Sequence, residues 1–232
     1  MERIFKYFWV VTCLALYVSC SSDEEAGNEK TPLKYIKTVY NKLDYSEKWT
    51  YDNKNHVIKI VRSNDTTSSY EYNNDGELVK AVTYYSSEPN IKTDEFRLEY
   101  QPNKVIVNIK RFYPGNHTIS RKEYILDHKG KPIKMSESES YHYIYNRADD
   151  NVTSVIYSSK DYGDFLNEKY LYDNKRNLLL NYPVGFRLVN NDEHINENNV
   201  IWGKFFTEEY SKKYEYDADG YITNDSNYYY TY

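Results

Sequence analysis

The sequence predicts an all-β protein, a twisted and curved antiparallel β-meander of repeated hairpins with little or no helix outside an N-terminal signal peptide. One phrase recurs seven times: aromatic-x-aromatic-Asp/Asn, a few polar residues often including Gly or Asn, then two or more aliphatics. Its alternation has the period of a strand, in which successive side chains point to opposite faces. No segment carries apolar residues at i, i+3, i+4 and i+7 for three turns, so helix does not compete.

The copies begin with Trp49-Thr-Tyr51-Asp52 to Ile58, Tyr70-Glu-Tyr72-Asn73 to Val79, and Leu98-Glu-Tyr100-Gln101 to Val107. They continue with Tyr124-Ile-Leu126-Asp127 to Ile133, Tyr143-Ile-Tyr145-Asn146 to Val152, Tyr170-Leu-Tyr172-Asp173 to Leu180, and Tyr214-Glu-Tyr216-Asp217 to Ile222. Their central residues lie 21, 28, 26, 19, 27 and 44 apart, an unequal period that makes the hairpin the unit and lets the loops vary. Asn73-Asn-Asp-Gly76 and Asp217-Ala-Asp-Gly220 are strong turn signals, because Asn, Asp and Gly tolerate the positive φ of tight hairpins. The aliphatic run after each turn, such as Val57-Ile-Lys-Ile-Val61, is the returning strand. Glu71, Glu99 and Glu215 stand between paired rings, which gives one ringed face and one solvated face. With 29 Tyr against 8 Phe and a mean hydropathy of -0.88, Tyr must supply much of the buried area. The sheet is therefore expected to curl so that its ringed face packs on itself.

The pattern breaks between the sixth and seventh copies. Leu178 to Leu188 is the most apolar stretch after the signal, followed by the polar run Asn190 to Asn199 and then Val200-Ile-Trp202. A loop of this length that builds no hairpin is expected to be functional or mobile.

Residues 1–19 have the layout of a secretory signal. Arg3 and Lys6 precede the uncharged stretch Tyr7 to Val18, which is too short for a ~30 Å hydrocarbon layer that needs about 20 residues. Ser19-Cys20 resembles the lipobox of bacterial lipoproteins, with Tyr17 where Leu is usual; in that family the cysteine is acylated and becomes the new N-terminus. The resemblance makes Cys20 the lipidation site and the membrane a partner through N-terminal lipid. Residues 20–33 are a flexible acidic tether. Their Ser21-Ser-Asp-Glu-Glu25 resembles the surface-export signal of Bacteroidetes lipoproteins, which implies an outer-membrane protein facing the cell exterior.

Residues 34–232 form the repeat domain. Tyr-x-Tyr-Asp followed by aliphatics is similar to the YD repeats of Rhs-type shells and toxin cages. The whole domain resembles a group of uncharacterised Bacteroidetes surface lipoproteins built of degenerate YD-like hairpins, above all in its closing segment Tyr214 to Tyr232. Only the second and seventh copies keep the Asn/Asp-x-Asp-Gly turn in full. The resemblance speaks to architecture and hardly to activity, and seven hairpins are expected to be too few to wall off a sizeable chamber.

A formal net charge of -5 without a basic block argues against nucleic acid as a partner. No cysteine follows Cys20, which excludes a disulfide framework and a Cys-based zinc site. His56, His117, His128, His142 and His194 are scattered, and there is no Gly-x-Ser-x-Gly turn, so a non-catalytic protein without a cofactor is expected. His56 and His128 read as solvated turn residues. Glu215-x-Asp217-x-Asp219-Gly220 copies the front half of a calcium loop, but Ser226 replaces its bidentate Glu, so the segment reads as a hairpin turn. Asp192, Glu193 and Glu197 are the candidates for a weak calcium site.

Trp49 and Trp202, with the rows of Tyr, are candidates for stacking on sugar rings; Trp202 is the better one because it adjoins the non-repeating loop. The repeat Tyr residues read as structural, since they recur at fixed positions. The expected function is a non-catalytic structural or interaction module with an unidentified protein partner. The alternative is a glycan-binding surface lipoprotein of a polysaccharide-uptake system.

Overall fold

The computed structural model describes residues 33–190 and 194–232, so the signal peptide, Cys20, the tether as far as Pro32, Asp192 and Glu193 lie outside the described residues. The repeat phrases become hairpins. The first strands are β1 (Thr38–Tyr40), β2 (Ser46–Tyr51), β3 (Val57–Arg62), β4 (Thr66–Tyr72), β5 (Leu78–Tyr85) and β6 (Lys92–Gln101). Next come β7 (Lys104–Tyr113), β8 (Asn116–Leu126), β9 (Pro132–Ser136), β10 (Tyr141–Ala148), β11 (Asn151–Ser159) and β12 (Gly163–Arg176). A 3₁₀ turn (Leu178–Asn181) and the short helix α1 (Val184–Val189) interrupt the pattern. The chain closes with β13 (Asn198–Phe205), β14 (Glu208–Ser211), β15 (Glu215–Tyr216), β16 (Ile222–Asn224) and β17 (Tyr229–Thr231).

Each strand from β1 to β13 pairs antiparallel with its successor, β15 pairs with β16 and β16 with β17, and β1 also pairs with β17, placing Val39 opposite Tyr230. The one step without a ladder among the described residues is β14 to β15, where Lys212, Lys213 and Tyr214 link consecutive pieces of chain. Side chains span that seam. The Tyr214 hydroxyl donates to the Val200 carbonyl at 2.9 Å, and the Tyr216 hydroxyl donates to Asp173. The meander thus curls, with β1 meeting β17, into a barrel-like wall that keeps an unladdered seam between β14 and β15.

The repeat phrase has a mechanical reason at each position. The Asp or Asn that ends it accepts two backbone N–H groups of its own turn: Asp52 from Lys54 and His56, Asn73 from Asp75 and Glu77, Asp127 from Lys129 and Lys131, and Asp217 from Asp219 and Tyr221. A ring of the phrase clamps the hairpin before it. The hydroxyls of Tyr72, Tyr100 and Tyr172 donate to the carbonyls of Val57, Leu78 and Val152, the first aliphatics of an earlier returning strand, at 3.0, 2.9 and 2.5 Å. Tyr51 reaches Ile36 in the same way at 2.5 Å, and Tyr232 reaches Ile222 at 2.7 Å. In the fifth copy Arg147 donates to Pro132 instead, at 3.0 and 3.1 Å. Each clamp satisfies a carbonyl that would otherwise be desolvated without a partner, at a cost of about 1–3 kcal/mol. His56 is not solvated as expected: it is half-buried, bonds Asp52 at 3.0 Å and stacks on Tyr72, whereas His128 is exposed.

The outer face is charged. Lys80 pairs with Glu71, Arg97 with Glu95, and Arg121 and Lys104 with Glu123, all on the side of β4–β8 opposite to Phe96, Leu98 and Tyr100. Facing lipid, each Lys or Arg near the bilayer midplane would cost about 2–4 kcal/mol, so these ion pairs suit water, although Ile58, Ile119 and Leu171 are also exposed on the outer surface.

Candidate ligand-binding site

The seven repeat turns gather at one end of the barrel, and the sixth carries the insertion. Its described residues do not float as a loop, and the ringed face packs only partly on itself. Asn177 to Asn190 fold into the barrel, where the rings of Trp49 and Tyr70 pack on them, and His194 to Glu197 lie against the wall. The Asn177 side chain caps the 3₁₀ turn by accepting from Leu179 N at 2.9 Å. Pro183 sets the extended entry to α1, whose Phe186, Arg187 and Leu188 are buried. Phe186 is wholly buried against the rings of Trp49, Tyr70 and Tyr182, with centroids 5.8, 5.0 and 5.2 Å away. Gly185 lets the helix lie directly on Tyr100 and Leu98, where a Cβ would collide with the Tyr100 hydroxyl.

Polar contacts then stitch the rest of the insertion to the wall. Tyr70 donates to Asn190 at 3.1 Å, the Asn196 side chain accepts from Val152 N at 2.8 Å, and Arg147 donates to the His194 carbonyl. Burial, reinforced by the neighbouring Arg187 charge, pulls the Arg147 guanidinium below its ordinary value. The chain also enters at this end: Lys34 pairs with Asp217 and Asp219 at 2.7 Å, and Ile36 N donates to the Tyr182 hydroxyl at 3.1 Å.

The other end stays open. Between α1 and the connections that carry no repeat phrase lies a cavity of about 1070 Å³. Glu47 and Arg62 pair across its wall at 2.9 Å, Asp94 and Arg111 at 3.5 Å, and Arg62 also donates to Ser68 at 2.8 Å. Burial opposes the Arg62 charge, but Glu47 and the neighbouring Tyr70 hold its guanidinium above the ordinary value. Burial and then the bond to Glu47 push the Tyr45 hydroxyl up. Arg62, Arg111, Lys122, Arg187 and Lys212 face Glu47, Asp94 and Asp225, so the lining carries a positive excess inside an acidic chain. A smaller cavity of about 430 Å³ adjoins it, with Lys122 and His194 in both walls.

The two tryptophans are not brought together. Trp49 is an inner-face residue against α1, with its indole N–H donating to Glu47 at 2.9 Å. Trp202 lies directly across from Leu171, which is 58% exposed, and cross-strand partners share a face, so Trp202 belongs to the outer surface. Glu197 bonds Lys131 at 3.4 Å, and no group of three or more metal-ligating side chains occurs among the described residues. The cavity's charged residues were not singled out from the sequence, although alternation carries the signal for those on strands. Asp94 falls in register with Phe96, Leu98 and Tyr100, and Arg111 with Val105, Val107 and Ile109, each at the strand end away from the repeat turn.

No protein-family model matches the chain, and no curated protein matches it. Among solved structures it is similar to a porin-like protein from Bacteroides uniformis, with 11% identity over 86% of this chain and 98% of that one and a TM-score of 0.39, a likeness too slight to bear on fold or function.

Proposed function

We propose that the protein is a non-catalytic binding module, an outer-membrane lipoprotein anchored through Cys20, that takes a hydroxyl-rich glycan segment into the open end of its barrel. The observation that carries this reading is the cavity: about 1070 Å³, filled from below by α1 and lined above by convergent carboxylates, guanidinium groups and hydroxyls. Binding sites combine that size with a few well-placed polar groups. The charged outer wall suits a domain held in water by a lipid rather than one that spans the bilayer.

The chain from Ser21 to Tyr232 is to be screened on an array of plant, host and microbial glycans. Saturable binding that disappears in Thr66→Trp, which fills the cavity from its wall, is the expected result. A blank array would leave the interaction-module reading, with the outer face as its working surface.

A further inference from the structure

The geometry points to a second element of this site: the rings of Tyr157, Phe165 and Phe206, at the rim of the smaller cavity, form a platform that grips the apolar C–H face of a pyranose ring. This inference rests on the glycan reading above and names the part of the site that would hold one sugar unit.

Three independent features converge there. The first is the row of rings. Tyr157 and Phe165 face each other across β11 and β12 with centroids 4.8 Å apart, Phe206 stacks over Phe165 at 6.0 Å and 29°, and Phe205 closes the row edge-on at 4.7 Å. These rings are not consumed by the fold, for Phe165, Phe205 and Phe206 are 36, 46 and 52% exposed, whereas Tyr51, Tyr72, Tyr100 and Tyr172 of the repeat are half-buried and spend their hydroxyls on backbone clamps. An aromatic face is electron-rich and attracts the polarised C–H groups that a pyranose presents on one side.

The second feature is the flanking chemistry. Glu168 and Glu137 line the same cavity; Glu168 takes the Tyr170 hydroxyl and faces His194 at 3.6 Å, and Glu137 faces Lys122 at 3.7 Å, but a carboxylate accepts up to about four hydrogen bonds, so each keeps capacity for the hydroxyl rim of a sugar whose face lies on the rings. Glu168 is aimed inward by a bulge: Val155 pairs with Glu168 and Ile156 with Leu166, leaving Asn167 as the extra residue. Asn167 Nδ2 then holds Glu168 at 3.0 Å.

The third feature is backbone strain. Phe205 and Glu208 flank a two-residue turn in which Phe206 has φ +50° and Thr207 does not share the positive φ. That is the pattern of a type II′ turn, whose first central position belongs to Gly. A bulky residue there is an outlier, and such outliers gather at functional positions. Apart from Asn, Asp and Ser, the non-glycine residues with positive φ among the described residues are Phe206 and Ile195. Ile195 follows His194, which lines the same cavity. The turn holds a ring where its own geometry asks for none.

The strain makes the test clean, because Phe206→Gly removes the ring and relieves the backbone together. Wild type, Phe206→Gly and Thr66→Trp, each from Ser21 to Tyr232, are titrated with cellotriose, maltotriose, xylotriose and the best glycan of the array, and melting is recorded for each. The expected result is a melting temperature in Phe206→Gly at or above that of wild type, with affinity weaker by about tenfold, the loss of one good stacking contact. Wild-type affinity in Phe206→Gly would overturn the platform and leave the cavity reading intact. Loss in Phe206→Gly without loss in Thr66→Trp would keep the platform and overturn the cavity. Silence of wild type toward every sugar would overturn both.

Discussion

The two ends of the barrel are built by different rules. At the plugged end the repeat phrase sets most of the detail: Asp52, Asn73, Asp127 and Asp217 close their turns, tyrosine hydroxyls (Arg147 in the fifth copy) clamp neighbouring hairpins, and the insertion of the sixth copy fills the interior with Phe186 and its ring neighbours. At the open end the connections follow no common phrase, charges replace rings on the inner face, and Phe165, Phe205 and Phe206 expose their rings at the rim of the smaller cavity. Repetition therefore marks where the molecule gets its stability. The places where the inner-face pattern departs from the repeat mark where it offers chemistry.

The largest expected effect appears in alkali. Burial pushes the Tyr182 hydroxyl up to about 12, and burial likewise raises Tyr51, Tyr72, Tyr100, Tyr230 and Tyr232 above the ordinary value of 10.0. A group whose folded value is raised contributes stability that is fully present below its unfolded value and is lost as pH rises through the folded one. Stability is thus expected to hold to about pH 10 and to fall steeply toward pH 12, with tyrosinate absorbance rising as strand circular dichroism disappears. Complete tyrosine ionisation in a chain that keeps its strands would break the account of the clamps.

Phe186→Ala comes next. Truncating a wholly buried ring is expected to cost about 3–5 kcal/mol in denaturant unfolding. Gly185→Ala sharpens the point at lower cost, about 1–3 kcal/mol, because the added Cβ must push α1 away from Tyr100. The smallest effect is a paired one. Tyr72→Phe removes one clamp and is expected to cost about 1–1.5 kcal/mol, whereas Tyr162→Phe, at an 81% exposed site near the open end, stays within about 0.5 kcal/mol. Equal losses for the two would remove the distinction between the ends.

The sequence made the hairpins legible because their signal is local: alternation over a few residues and an Asx turn are visible without knowing what lies opposite. The structural role of the repeat Tyr residues followed from their fixed positions, although the carbonyl each one clamps belongs to an earlier hairpin and only the closed register reveals it. Leu178 to Leu188 stood out as apolar, yet what it packs against depends on closure of β1 on β17, a contact between the two ends of the repeat domain. Trp202 was favoured for its nearness to the insertion in sequence, but the bulge opposite Leu171 and Tyr172 leaves it on the outer face. Asp94 and Arg111 were missed, although alternation with Phe96, Leu98 and Tyr100 and with Val105, Val107 and Ile109 carries their inward direction; their meeting in one cavity does not follow from either strand alone.

The most direct test of the plugged barrel is amide hydrogen exchange across α1, read residue by residue. Arg187 N donates to the Pro183 carbonyl at 3.2 Å and Asn190 N to the Phe186 carbonyl at 3.1 Å, inside the wall. An isolated helix of six residues has no stability of its own. If α1 fills the barrel, these amides exchange only through global unfolding, as slowly as those of β7. Exchange as fast as that of the exposed connection around Ser87 would mean that the insertion lies outside and the chamber is unplugged.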